Sequence, residues 1–273
     1  MKNILLNRAL QASSSLLLAT SLLFSAQASS EATQTPEQRG LEIAKMQKAT
    51  DEGWGDSQSE MKMILRSPSG KENTRIIKLK ALEVQGDGDK SLMVFDQPKD
   101  VAGTAFLSFS HVEGPDDQWI FLPALKRIKR IASKKKSGSF MGSEFSYEDL
   151  SSFEIGKYDF KYLRDEACGD AECYVVESYP KDEYSGYTRL VSWINKAELR
   201  TEKVEFYDRK KSLLKVMTVQ KYEKFENKFW RPLVSLMENK QTGKSTEMHW
   251  SDIQLKTGLT EDDFSKNNLK RAK

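Results

Sequence analysis

Apolar positions recur along this chain with two different periods. Near the start, "TPEQRGLEIAKMQKATDEGW", residues 35–54, carries a helical signature. Thr35 suits the N-cap, Pro36 suits the first turn, and Gln38 stands where a capping-box partner belongs. Leu41, Ala44 and Lys48 mark one stripe, with Ile43, Met46 and Thr50 beside it. Gly53 suits the stop, because glycine enters the left-handed region cheaply.

Beyond the helix the period is two. "SQSEMKMILR", "NTRIIKLKAL", "KSLMVFD", "VAGTAFLSFS" and "DQWIFLP" follow one another as strands. "YDFKYLR", "CYVVESYP", "TRLVSWIN", "RTEKVEFYD", "SLLKVMTVQKY", "WRPLVSLMEN" and "KSTEMHWSDI" repeat the pattern later. Short separators such as "SPSGK", "GDGD", "RKKS" and "KQTGK" predict antiparallel pairing of consecutive strands. "TEDDF", from Thr260, predicts a short capped helix. No repeat or Pro-rich linker divides the chain. The pattern predicts one mainly β (α+β) domain on a single large curved antiparallel sheet. A sheet that large must curl, split or close, and a curled sheet can shelter an apolar ligand.

The first residues bear on location. Lys2 and Arg8 precede the apolar run "LLLATSLLF" and the small-x-small "AQA" at Ala26–Ala28. This predicts a signal peptide over residues 1–28, cleaved after Ala28, with residues 29–273 as the mature domain. Losing Lys2 and Arg8 lowers the formal net charge from +3 to +1. That near-neutral total argues against general nucleic-acid binding. Cys168 and Cys173 are the only cysteines and flank the turn-like "GDAE". In an exported chain they predict a disulfide, which in so short a loop stabilises by about 2 kcal/mol.

The charge is uneven. Lys126, Arg127, Lys129, Arg130, Lys134, Lys135 and Lys136 fall within eleven positions. Pro123 favours a hairpin, with strands over Gln118–Pro123 and Lys126–Ala132. The cations then fit two roles: protection of an edge strand, or a docking strip for an acidic protein or anionic head group. "SGSFMGSEFSYEDL" follows. Gly138 and Gly142 bracket Phe140 and Met141, and Ser146 to Asp149 match a capping box, so a short helix is predicted from Tyr147. This segment reads either as a mobile apolar lid or as an ordinary plug of the core.

Candidate chemistry is sparse. His111 and His249 are the only histidines, with no nucleophile motif around either and no G-x-S-x-G. "GDGDK" lacks the further ligands of a calcium loop and reads as a turn. No catalytic residue, metal or cofactor is predicted.

The block "WIFLPALKRIKRIASKKKSGSFMGSEFSYEDL" resembles the LolA-like outer-membrane lipoprotein-sorting protein family. "RGLEIAKMQKATDEGWGDSQSEMKMIL" and "FDQPKDVAGTAFLSF" resemble its opening and next segments, so the likeness spans most of the chain after the leader. The resemblance implies an unclosed β-barrel, with N-terminal and lid helices covering its concave face. It also implies a periplasmic, non-catalytic carrier for acyl chains of a lipoprotein, lipid or similar cargo. Members of this branch are associated with RND-type (MMPL-like) inner-membrane transporters, which makes such an exporter the expected partner. Cargo candidates are Phe140, Met141, Phe145, Tyr147, Trp119, Phe121, Phe106 and Phe109. The seven cations from Lys126 to Lys136 are the docking candidates, with transient membrane contact. Transfer of a tail of about sixteen carbons out of water is worth roughly 12 kcal/mol, which is why such cargo needs an escort. The alternative is a periplasmic sensor that binds lipid or lipoprotein and regulates a signalling partner.

Overall fold

The computed structural model describes residues 34–271. The expected signal peptide and its cut after Ala28 lie outside them. Helix α1 spans Pro36–Thr50 and starts as its sequence dictates. Thr35 Oγ1 accepts from the Gln38 amide at 3.2 Å, and Gln38 Oε1 accepts from the Thr35 amide at 2.9 Å. Asp51 caps the other end, and Gly53, at φ +93°, turns the chain away.

Thirteen strands follow in one sheet, every pair antiparallel. They are β1 (Asp56–Arg66), β2 (Glu72–Leu82), β3 (Lys90–Gln97), β4 (Ala105–Phe109), β5 (Asp117–Leu122) and β6 (Arg127–Arg130). After a long connection come β7 (Tyr158–Cys168), β8 (Ala171–Pro180), β9 (Tyr187–Asn195), β10 (Thr201–Asp208), β11 (Leu213–Phe225), β12 (Phe229–Asn239) and β13 (Ser245–Leu255). The order is β6-β5-β4-β3-β2-β1-β13-β12-β11-β10-β9-β8-β7. Thus β1 and β13 zip two meanders together, while β6 and β7 remain as edges. The sheet is not closed. The predicted hairpin of β5 and β6 is present, joined by a single 3-10 turn at Pro123–Leu125.

Register assigns the two faces, since paired residues share a face. Ile77, Phe95, Phe106, Ile120, Val204, Phe206, Met237 and Met248 meet in one cluster that draws on strands from β2 to β13. Residues from β5 and β10 meet there only because the sheet curls, so this is the inner face. On the outer face Leu92, Val94, Leu107 and Trp119 are covered by Phe264 and Leu269. Leu269 belongs to α2 (Lys266–Arg271), and the predicted capping box at Thr260 forms before it. Cys168 and Cys173 form the expected disulfide across the β7–β8 turn, Cα atoms 5.9 Å apart.

Helix α1 covers the inner face over β7–β9, where Ile43 and Ala44 pack on Phe160, Val176 and Ile194. The remainder is covered by the 131–157 connection between the two edge strands. Its expected helix is only a 3-10 turn, Glu148–Leu150. Gly40 shows how close α1 lies to the sheet: a Cβ there would sit 2.8 Å from the backbone nitrogens of Lys161 and Tyr162. Glycine inside a helix costs about 1 kcal/mol in propensity, and this contact explains its presence. Gly40→Val is expected to destabilise by about 1–3 kcal/mol through overpacking, measured as a lower denaturant midpoint with strand circular dichroism retained.

Candidate functional site

The glycine-flanked segment folds into a small hairpin. Ser143 N donates to Phe140 O at 2.9 Å, and Phe140 N donates to Phe145 O at 2.7 Å. Met141 and Gly142 occupy the turn with φ of +50° and +79°, the sign pattern of a type I′ turn. Gly142 therefore supplies a tight turn. The hairpin drives Phe140 into the core at 0% exposure. Its ring lies 5.8 Å from Phe95, 5.2 Å from Phe106 and 5.6 Å from Tyr147. Phe145 is buried beside it.

Polar contacts fasten the same segment. Lys215 Nζ, on β11, pairs with Asp149 Oδ2 at 2.6 Å and donates to Glu144 O at 2.9 Å. Both side chains of that pair are under a tenth exposed. Tyr187 donates to Asp149 Oδ1 at 2.8 Å. Asn239 donates to Glu144 Oε2 at 2.7 Å, and Glu144 N donates to Thr246 Oγ1 at 3.0 Å. Arg75 reaches Met141 O. Ser146 and Asp149 form the predicted capping box. Removing one partner of a buried ion pair costs about 3–5 kcal/mol, so these bonds hold the hairpin as a plug in one end of the curled sheet.

The opposite end is open. A cavity of about 1280 Å³ lies between α1, the 152–154 segment and the inner face. Small-molecule clefts typically enclose about 300–1,000 Å³. Its apolar wall comes from Val176, Leu190, Ile194, Val204, Phe206 and Met217. Its rim is drawn from the connections α1–β1, β2–β3, β9–β10 and β11–β12. Val112 and Phe153, both exposed large hydrophobics, stand at that rim. Helix α1 is tied across the opening. Lys48 pairs with Glu154 at 2.6 Å, and Gln47 Nε2 donates to Thr201 Oγ1 at 2.8 Å.

Three carboxyl groups depart furthest from ordinary titration among the described residues. Burial pushes Asp89, which lines the cavity, up to about 6. Burial beside Asp149 pushes Glu148, under the plug, up to about 7. The hydrogen bond from His111 holds Asp87, at the rim, down at about 2. His111 Nδ1 lies 2.8 Å from Asp87, and His249 Nε2 lies 2.6 Å from Glu247.

The predicted site residues separate into groups. Phe106, Phe140, Met141, Phe145 and Tyr147 meet on the inner face, inside the plugged end rather than along the open cavity. Phe109, Trp119 and Phe121 do not join them. They lie on the outer face, under the C-terminal segment. The reason is strand parity: Trp119 pairs with Leu107 and Phe121 with Ala105, across from the inward Phe106–Ile120 pair. In the basic strip, Lys126, Arg127, Lys129, Lys134 and Lys135 are exposed, with no ion pair among the described residues. Arg130 pairs with Asp117. Lys136 is buried and donates to Asp116 O at 2.7 Å, which removes it from any docking surface. The cavity wall itself was missed, because it is built from alternate positions of later strands. Their alternation was visible, but not which parity faced inward.

A curled, unclosed sheet around a partly apolar cavity defines a LolA-like binding fold. A family model described as an uncharacterized protein matches residues 87–271. Among solved structures, an outer-membrane lipoprotein-sorting protein domain from Vibrio parahaemolyticus is 57% identical, with a TM-score of 0.85, over 86% of this chain and 100% of that one. A DUF1329 family protein from Desulfovibrio piger is 31% identical, with a TM-score of 0.82, over 86% of this chain and 99% of that one. A LolA superfamily protein from Nitrosomonas europaea shares the fold at 21% identity, with a TM-score of 0.68, over 84% and 98%. No curated protein matches. The chain belongs to the LolA-like outer-membrane lipoprotein-sorting protein family.

Because Phe140 does not line the cavity, plug and cavity variants should separate. Phe140→Ala is expected to cost about 3–5 kcal/mol in stability, read from urea unfolding. Below its unfolding transition the variant should retain hydrophobic-probe binding in the open cavity.

Proposed function

We propose that this chain is a periplasmic carrier that shelters the acyl chains of a lipoprotein, lipid or similar hydrophobic cargo, without catalysis. Residues 1–28 act as the export signal and residues 29–273 form the carrier domain. The observation that carries this reading is the cavity of about 1280 Å³ with an apolar wall and an open rim. Burying each methylene is worth about 0.8 kcal/mol, so Val176, Leu190, Ile194, Val204, Phe206 and Met217 supply what water denies the tail. The family's lipoprotein-sorting relatives make the same class of cargo the first to test.

The carrier takes its cargo from an RND-type inner-membrane transporter and delivers it toward the outer membrane. The five cations Lys126, Arg127, Lys129, Lys134 and Lys135, without ion pairs among the described residues, align it with that partner or with the membrane beside it. Each contributes about 1 kcal/mol near an anionic surface, which guides encounter without fixing the cargo.

Native mass spectrometry of protein taken from its own periplasm, followed by lipid extraction, tests the reading. The wild type should carry a hydrophobic ligand. Ser192→Trp, which fills the cavity wall from β9, should lose the ligand while melting no lower than wild type. A wild type that emerges empty and excludes added lipid would sink the proposal. Separately, reversing Arg127, Lys134 and Lys135 to glutamate should slow association with exporter-containing inner-membrane vesicles, most strongly at low salt, with the cargo load unchanged.

A further inference from the structure

The rim of the cavity holds a cation for which a purely apolar cargo has no use. Arg200 precedes β10 and lines the opening together with Tyr222 and Trp230. Its guanidinium lies 4.2 Å from the Trp230 ring centre and 4.6 Å from that of Tyr222. Its Nε donates to Glu202 Oε1 at 3.0 Å, and Asn195 Nδ2 donates to the same oxygen at 3.0 Å. The two terminal nitrogens, Nη1 and Nη2, have no acceptor among the described residues. The flanking rings are fixed in turn. Tyr222 OH donates to Thr201 O, and Trp230 Nε1 donates to Glu198 Oε2 at 2.6 Å. Lys224 lies 5.2 Å from the Trp230 ring and pairs with the same Glu198 at 3.7 Å, as Arg200 pairs with Glu202.

Apart from Glu52, the acids lining the cavity have partners among the described residues. Glu83 accepts from the amides of Gly53 and Gly55 at 2.7 and 2.8 Å. Asp87 accepts from His111 and from the Val112 amide at 2.9 Å. Glu154 is paired with Lys48, and Asp89 accepts from Ser152 at 3.2 Å. The other rim cations are engaged as well: Arg231 with Asp51, Lys228 with Glu52 O, and Lys224 with Glu198. Arg200 is the rim cation left with a planar pair of free donors, on an aromatic seat and beside apolar surface. That arrangement suits the oxygens of a phosphate or carboxylate, which a guanidinium binds bidentately.

We propose that Arg200, seated against Tyr222 and Trp230 with Lys224 beside it, is a head-group subsite for an anionic amphiphile whose tail runs along Val204, Phe206 and Met217. This rests on the cavity being the cargo site. Strand geometry gives the depth. Phe206 lies about 20 Å beyond Arg200 at the usual strand rise, so a head held at the rim leaves its tail against the apolar wall.

Three probes with one tail and different heads test it on the folded chain: dodecyl phosphate, dodecanoate and dodecanol, titrated by calorimetry. Wild type should favour the two anions over the alcohol, and their relative strength tells a phosphate head from a carboxylate head. Arg200→Gln should weaken the anions roughly ten- to hundredfold and leave dodecanol unchanged. If Arg200→Gln melts early, Arg200→Lys carries the test. It keeps the charge and loses the planar fork, so the anions should again weaken while dodecanol holds. Equal affinity for all three probes in wild type, or an anion preference that survives both substitutions, would overturn the subsite and leave the carrier standing. Failure to bind any probe would overturn the cargo cavity itself, and the subsite with it.

Discussion

A sheet with two edges leaves its inner face uncovered along the line where it fails to close. Here that line runs between β6 and β7, and the inner face is rich in Phe, Met and Ile. Water against that surface would cost about 25 cal/mol per Å². The chain covers it with two pieces of itself. Helix α1 lies over β7–β9, and the connection from one edge strand to the other folds back as the Phe140–Phe145 hairpin. Both covers follow from the missing closure, and so does the space between them.

The two covers are fastened differently, and this polarises the molecule. The hairpin is sealed by Phe140, Phe145 and the buried Lys215–Asp149 pair. Around it Tyr187, Asn239 and Thr246 add hydrogen bonds to the same segment. Helix α1 is held at its far end by the Lys48–Glu154 pair and by Gln47 to Thr201. Behind those contacts lies open volume rather than packed side chains. One end is thus a finished core and the other a container. Burial also raises Glu148 in the first and Asp89 in the second, so each end holds a carboxyl group less inclined to ionise than one in water.

Much of this was legible in the sequence. The capping boxes at Thr35, Ser146 and Thr260 appear where residue spacing placed them. The period-two runs became strands, and the short turns between them set antiparallel order. The Cys168–Cys173 bridge followed from its hairpin position. The family resemblance named the fold. What stayed hidden was parity. Phe106 and Phe109, three apart on one strand, must face opposite ways, but only pairing to β3 and β5 shows which of them faces inward. Trp119 looked like a cavity residue because tryptophan suits both cores and ligands, but it packs under α2 and its approach segment. Gly142 suits a hinge or a tight turn equally well; it sits in a tight turn here, and long-range bonds from Lys215 and Arg75 fasten the segment around it. No local signal reports a partner over sixty residues away.

The fastening also sets the cost of each route by which a ligand would enter. Admission beneath the hairpin would expose Phe140 and Phe145, at about 1.5–3 kcal/mol each. It would also separate Lys215 from Asp149 in a setting where an orphaned charge costs about 3–5 kcal/mol. That sum is comparable to the whole stability of a typical domain, about 5–15 kcal/mol, so opening there approaches unfolding. Entry at the α1 rim disturbs no buried aromatic ring, because Val112 and Phe153 are already exposed there. A tail arriving by that route meets exposed apolar groups first, then the Val204–Phe206 wall, and leaves its polar head near the rings and charges of the β9–β10 and β11–β12 turns. In this arrangement the hairpin is a packed and fastened floor, while the rim at Val112 and Phe153 is where apolar groups already meet water.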